Sequence, residues 1–307
     1  MKRTKLFLSL LAFSSITLSS CYINLGFIEF GEKPTEENQD NNQDNNQEQG
    51  ENKPTPKPNP DVPSGGDYIR DDYGDYYATI TDDAEGDTLK NLLNTLNTSM
   101  RKRTMGYDGL KTWGQYTEID WTGKENVEGK MFGFYDNALV SNTWDNQATW
   151  NREHVWPNSL GGGKVEKDMH MPRPTSVSIN SERGNKYYGS SGGTYDPGQY
   201  EANYRGVAAR IIFYCAIADT SLSLIDANSG SGSMGKLSDL LRWNLEYAPN
   251  RHKDAPLTLR IEQNRNHEMF TREGLQGNRN PFIDHPEYAC RIWGNTNSAT
   301  RSACKIS

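Results

Sequence analysis

The sequence predicts an α+β domain, and three features predict it. Apolar residues recur at helical spacing in two distant stretches, at Leu89, Leu92, Leu93 and Leu96, and at Leu237, Leu240, Leu241 and Leu245. Between them, from Tyr107 to Trp150, aromatic residues are scattered among turn signals, which suits short strands and loops. The stretch from Asn151 to Asn185, NREHVWPNSLGGGKVEKDMHMPRPTSVSINSERGN, reads as strand, loop, strand and helix. A chain of 307 residues is long enough to bury a real core around these elements.

The N-terminus reads differently. Lys2, Arg3 and Lys5 precede an apolar run from Leu6 to Leu18, the pattern of a secretory signal and too short to span a membrane. Its end, Leu18-Ser19-Ser20-Cys21, resembles the bacterial lipoprotein box, so residues 1–21 are expected to be a lipoprotein-type signal with Cys21 as the acylated anchor. Residues 22–66 are expected to be a tether: from Gly31 to Gly66 there are almost no apolar side chains, and the run is rich in Asn, Gln and then Pro, unable to bury a core. The folded domain is expected over 67–307, outside the cytoplasm and held to a membrane or cell surface by its lipid.

Charge is unevenly distributed. The net of -7 argues against a polyanion partner, but residues 88–307 hold 26 Lys and Arg against 23 Asp and Glu. The acid lies at the front, and the remainder is mildly basic, compatible with nucleic acid.

The stretch 151–185 carries the chemistry. A phosphodiester is an anion, so its hydrolysis needs a positive group on the phosphate and a base for the water. His154 has the residue type for the base, since an imidazole titrates near pH 6.5. Glu153 and Asn180 offer a carboxylate and an amide oxygen, hard ligands suited to magnesium. Arg183 stands three residues after Asn180, on the same face of a helix, and would add a cation. Neighbours on a strand face opposite ways, so a shared site for Glu153 and His154 requires irregular backbone there, and Pro157 supports an early end to pairing.

These residues also match a known pattern. Glu153-His154-Val155-Trp156-Pro157, Asp168-Met169-His170 with Pro174, the run from Asn180 to Asn185, the run from Arg205 to Arg210, and the run from Gln276 to Asp284 occur in order. In them the chain resembles the endonuclease I family of extracytoplasmic non-specific nucleases, members of the His-Me finger (ββα-metal) group. The resemblance implies one Mg2+ on Glu153 and Asn180 (Ca2+ or Mn2+ in its place), with His154 as general base. It further implies cleavage of DNA, and often RNA, to 5′-phosphate ends. Met171-Pro172-Arg173 depart from the family, which usually continues with His or Asn and then Leu; a proline there predicts a short or edge second strand.

The remaining residues divide by role. Asp168, His170 and Asn185 are expected to support the site or meet phosphate. Arg205 and Arg210 are read as structural first and phosphate-binding second, and Arg279 as supporting the site or meeting phosphate. A helix is expected around a buried stripe of Val207, Ile211, Tyr214, Cys215 and Ala218, and another over Glu262 to Arg272. Residues 276–284 form a loop rich in Asn and Arg that can satisfy turns or meet phosphate. Cys290 and Cys304 are close enough for a disulfide, Cys215 is expected buried and free, and no cysteine has zinc-site spacing. No catalytic residue is expected between 107 and 150, and the protein is expected to be a monomer. Two alternatives stand beside the nuclease reading: a zinc hydrolase on His154, Asp168 and His170, and a surface nucleic-acid-binding lipoprotein without catalysis.

Overall fold

The computed structural model describes residues 73–125 and 127–307. The signal, the tether, Cys21 and the expected domain start at residue 67 lie outside the described residues. Nine helices and three two-stranded sheets follow one another among those described: α1 (Gly86–Met100), α2 (Gly109–Thr117), β1 (Lys130–Phe132), β2 (Leu139–Ser141), β3 (Asn151–His154), β4 (Pro172–Thr175), α3 (Val177–Arg183), α4 (Tyr204–Ala218), β5 (Ser223–Leu224), β6 (Ser233–Met234), α5 (Leu237–Glu246), α6 (Leu257–Thr271), α7 (Pro281–Asp284), α8 (Glu287–Trp293) and α9 (Ser298–Ala303). The α+β expectation holds. None of the helices among the described residues is long and apolar enough to cross a membrane.

The fold is built on α4. Its sequence, YRGVAARIIFYCAIA, carries apolar residues on every side, Arg205 and Arg210 apart, and every residue from Gly206 to Ile217 is buried. The expected one-sided stripe was therefore too narrow. Helices α1, α5, α6 and α7 pack around it, so no face meets water. Gly206 allows the closest approach: a Cβ there would sit 2.4 Å from the Tyr247 carbonyl oxygen. Helix α1 supplies Leu89, Leu93 and Leu96 to this core, each worth about 2 kcal/mol in apolar burial. A smaller core of Leu110, Met131, Val140, Trp150, Met169, Met269 and Leu275 lies between α2, the β1–β2 hairpin and α6.

Two further expectations are corrected. Helix α6 starts at Leu257, five residues before Glu262, because Pro256 at its N-cap sets the entry. The Asn- and Arg-rich run is no surface loop: Gln276, Asn278, Arg279, Asn280 and Asp284 are all buried, and the run ends in α7. Their polar groups bond to one another and to α1, α4 and α6, which is how so polar a segment is tolerated inside. The Cys290–Cys304 disulfide is formed, and Cys215 is buried and free.

Candidate active site

Strands β3 and β4 pair antiparallel, with Glu153 opposite Arg173 and His154 opposite Pro172. The ladder stays regular through His154, so the irregular backbone expected at Glu153-His154 is absent. Alternation then sorts the strand into two sides: Asn151 and Glu153 share one, Arg152 and His154 the other. Pro172 lies at the first position of β4 in a sheet of only two strands, where no neighbour needs its missing N–H. The loop between the strands turns through Gly161 (φ 101°) and Gly162, where a Cβ would lie 1.9 Å from the Trp156 carbonyl oxygen. After β4, Ser176 caps α3 by accepting from the Ile179 N–H.

Helix α3 lies on the Asn151/Glu153 side. Asn180 Nδ2 donates to Asn151 Oδ1 at 2.8 Å, and Arg183 Nε stands 3.3 Å from Glu153 Oε1. The same Glu153 oxygen accepts from the Tyr135 hydroxyl at 2.8 Å, and Tyr135 in turn meets the Tyr188 hydroxyl at 2.5 Å. Tyr135 holds a φ of 85°, a strained conformation for a bulky residue, and the strain aims its ring at Glu153. Burial raises the Glu153 carboxyl above its ordinary range, while Arg183 and the Tyr135 hydroxyl oppose that shift. Arg183 also donates to the carbonyls of His154, Val155 and Gly184 at 3.1, 2.7 and 3.0 Å. It is 1 % exposed and serves as a clamp on the end of β3.

His154 stands on the opposite side, partly exposed. Its Nε2 lies 3.5 Å from Glu166 Oε2, and its ring lies 5.6 Å from that of Tyr107. Burial lowers its pKa below 6.5, with Glu166 opposing, so the imidazole is neutral near pH 7.

Asp168 is a junction. Its Oδ2 accepts from Arg101 at 2.5 Å and from the Tyr214 hydroxyl at 2.7 Å, and its Oδ1 from Gln276 at 2.7 Å and from the His170 N–H at 3.0 Å. His170 is buried, its Nε2 3.1 Å from the Asn278 carbonyl, and burial pushes its pKa down to about 4. His154, Asp168 and His170 are not brought together. Among the described residues no group of three or more His, Cys, Asp or Glu could hold a metal, which removes the geometry a zinc hydrolase needs.

The other candidates separate. Asn185 is exposed just beyond α3. Arg205 is held bidentately by Asp196 at 2.9 and 2.6 Å and also reaches the Tyr247 hydroxyl. Arg210 is fully buried against Glu262, with bonds of 2.7 and 2.6 Å, and Arg279 is fully buried against Asp284. Neither buried arginine reaches the surface, so the geometry gives both a structural place and offers no phosphate contact. The sequence reading missed Tyr107, Tyr135 and Glu166. Tyr107 and Tyr135 lie in the stretch where no catalytic residue was expected, and only the fold brings them to β3.

Whether these side chains suit a divalent cation is answered by what their hydrogen bonds leave over. Among the described residues, Glu153 Oε2 and Asn180 Oδ1 make no hydrogen bond, while their companion atoms are tied to Tyr135 and Asn151. A carboxylate oxygen and an amide oxygen are the donor types that a hard, water-keeping ion such as magnesium takes.

These features define an α+β protein whose strand–loop–strand–helix unit presents a neutral imidazole on one side and hard oxygens on the other. Residues 85–287 match the family Endonuclease I, and the chain belongs to that family. It is 34% identical over 239 residues to the extracellular ribonuclease of Bacillus subtilis (strain 168), covering 70% of this chain and 78% of the relative. It is 37% identical over 166 residues to the extracellular ribonuclease of Bacillus amyloliquefaciens, covering 47% and 54%. No solved structure gives a significant match.

Proposed function

We propose that this protein is an extracytoplasmic endonuclease that hydrolyses phosphodiester bonds of RNA and DNA with little regard to sequence, leaving 5′-phosphate ends. The observation that carries it is that Glu153, and Asn180 through its bond to Asn151, lie on one side of β3, each with an oxygen unused, and that His154 follows Glu153 in the chain with its pKa lowered by burial. Family membership supports a nuclease, and the two relatives named extracellular ribonuclease support RNA as a substrate and an extracellular setting.

In this reading Glu153 and Asn180 hold the magnesium ion, which when bound supplies positive charge to the phosphate. His154 accepts the proton of the attacking water, a task its neutral state permits. Metal and base act on one phosphate, so this reading requires the phosphate to be reached from both sides of the end of β3, by the oxygens of Glu153 and Asn180 from one and by His154 from the other. Arg183 acts through the backbone: by binding the carbonyls of His154 and Val155 it fixes where the imidazole stands. Tyr135 fixes Glu153 in the same way. Acylation at Cys21, if it follows the lipoprotein pattern, would keep the domain beside the cell that secretes it.

The test is cleavage of plasmid DNA and of structured RNA with magnesium, with EDTA, and with zinc added to chelated protein. Both substrates should be cut with magnesium only. Binding without cleavage would favour the non-catalytic lipoprotein, and activity with zinc alone would overturn the oxygen-ligand assignment.

A further inference from the structure

Arg152 and His154 leave β3 on the same side, and both rest against one ring. The Arg152 guanidinium lies 3.5 Å from the centre of the Tyr107 ring, and the His154 imidazole lies 5.6 Å from it, tilted by 32°. The stack continues away from His154. The Arg152 guanidinium is 5.7 Å from the Trp144 ring, and Lys111 Nζ is 4.3 Å from that same ring. In spatial order Lys111, Trp144, Arg152 and Tyr107 alternate cation and ring, and the row ends on the imidazole of the candidate base, His154. Tyr107 keeps 38% of its surface exposed, one of two tyrosines so open among the described residues.

A single exposed tyrosine needs no explanation. A row of aromatic rings interleaved with cations is different, because it matches what a flexible polyanion with flat bases presents. Each base offers a π-face to a ring and each phosphate a charge to a cation, whatever the sequence. In a duplex the bases are stacked inside and cannot reach such a ring; in a single strand they can.

Resting on the nuclease reading, we propose that this row is a subsite for single-stranded nucleic acid. The open surface of Tyr107 stacks one unpaired base beside the bond to be cut, and Lys111 and Arg152 take flanking phosphates. The enzyme then favours single strands over duplexes. Asp108 opposes this arrangement: its Oδ1 lies 2.9 Å from Lys111 Nζ and 2.7 Å from Arg152 Nη1. Asp108 is 71% exposed, so its pairs are solvent-screened and an arriving phosphate can replace them, while Arg152, 13% exposed, keeps its further bond from Nη1 to the Tyr107 carbonyl at 2.7 Å.

The test compares kcat and KM for a fluorescent single-stranded RNA and for a duplex of the same sequence. Tyr107→Ala should lower the single-strand to duplex ratio of kcat/KM by about tenfold, the size of one base–aromatic stack, through KM on the single strand. Tyr107→Phe, which keeps the ring, should hold the wild-type ratio, and Asp108→Asn should lower KM on the single strand. An equal loss on both substrates in Tyr107→Ala, or a loss in kcat with KM unmoved, would overturn the proposal and leave the ring as a support for His154. Binding is read separately in EDTA, with a single-stranded oligonucleotide carrying 2-aminopurine. Wild type and Tyr107→Phe should quench its fluorescence, and Tyr107→Ala should not. If wild type quenches yet cuts nothing, the nuclease reading fails and the subsite stands. If wild type cuts but Tyr107→Ala quenches as well as it does, the subsite fails and the nuclease reading stands.

Discussion

Arg183→Met tests whether Arg183 is a clamp or a phosphate-facing cation. The substitution keeps an apolar stem of similar length and removes the guanidinium. It deletes three bonds to the carbonyls of His154, Val155 and Gly184 and leaves Glu153, 1 % exposed, beside Tyr135 without its counter-charge. Breaking a buried ion pair from one side costs about 3–5 kcal/mol, because the remaining charge stays desolvated. The carbonyl bonds belong to the same network and do not add in full, so about 4 kcal/mol is the expected loss. That is a large part of the roughly 5–15 kcal/mol that holds a typical domain together. Urea unfolding followed by tryptophan fluorescence should show the midpoint fall steeply. Adding Glu153→Gln to Arg183→Met should recover part of the loss, since no lone charge is then buried. A loss below about 1 kcal/mol in Arg183→Met, with kcat collapsing at the same time, would refute the clamp and restore the sequence-based expectation of a cation on the phosphate.

Other expectations are simpler to state. His154→Ala should bind nucleic acid and magnesium but lose about 10²–10⁴ in rate, whereas Glu153→Ala should regain part of its activity in excess magnesium; the opposite pattern of rescue would swap the two roles. His170 is neutral when folded, its pKa lowered to about 4, so the unfolded chain binds more protons between that value and the ordinary 6.5. Stability should therefore fall as the pH drops from about 6.5 to about 4, by about 3 kcal/mol from this group, and His170→Gln should flatten that slope in urea melts taken across the range. Replacing Cys290 and Cys304 by serine opens a loop spanning 14 residues and should cost about 3 kcal/mol, read as a lower urea midpoint; an unchanged midpoint would show that α8 and α9 are held by packing alone.

Much of the site was legible because its pieces are local. Asn180 and Arg183 share a helix face by spacing alone, as α3 shows. What could not be read is what depends on separation in the chain. Tyr135 reaches Glu153 across 18 residues only through a left-handed backbone that no pattern announces. Arg210 and Glu262 are 52 residues apart, and charged residues in a sequence look like surface until their partners are known. The regular ladder at His154 was misjudged for a related reason. A shared pocket seemed to demand that alternation fail, and the fold instead gives the two neighbours separate sides.

The hairpin of β3 and β4 has four residues in each strand and, among the described residues, no third strand beside it. Two strands of that length do not persist alone in water. This one stands because Asp168 joins the end of the β3–β4 loop to Arg101, Tyr214 and Gln276, and because α3 closes over it. Those anchors lie up to 108 residues away in the chain, so the imidazole and the hard oxygens come into register only when the whole domain has folded. On the proposed reading, activity therefore has no partial form: a chain still extended carries every chemical group of the site and none of its arrangement.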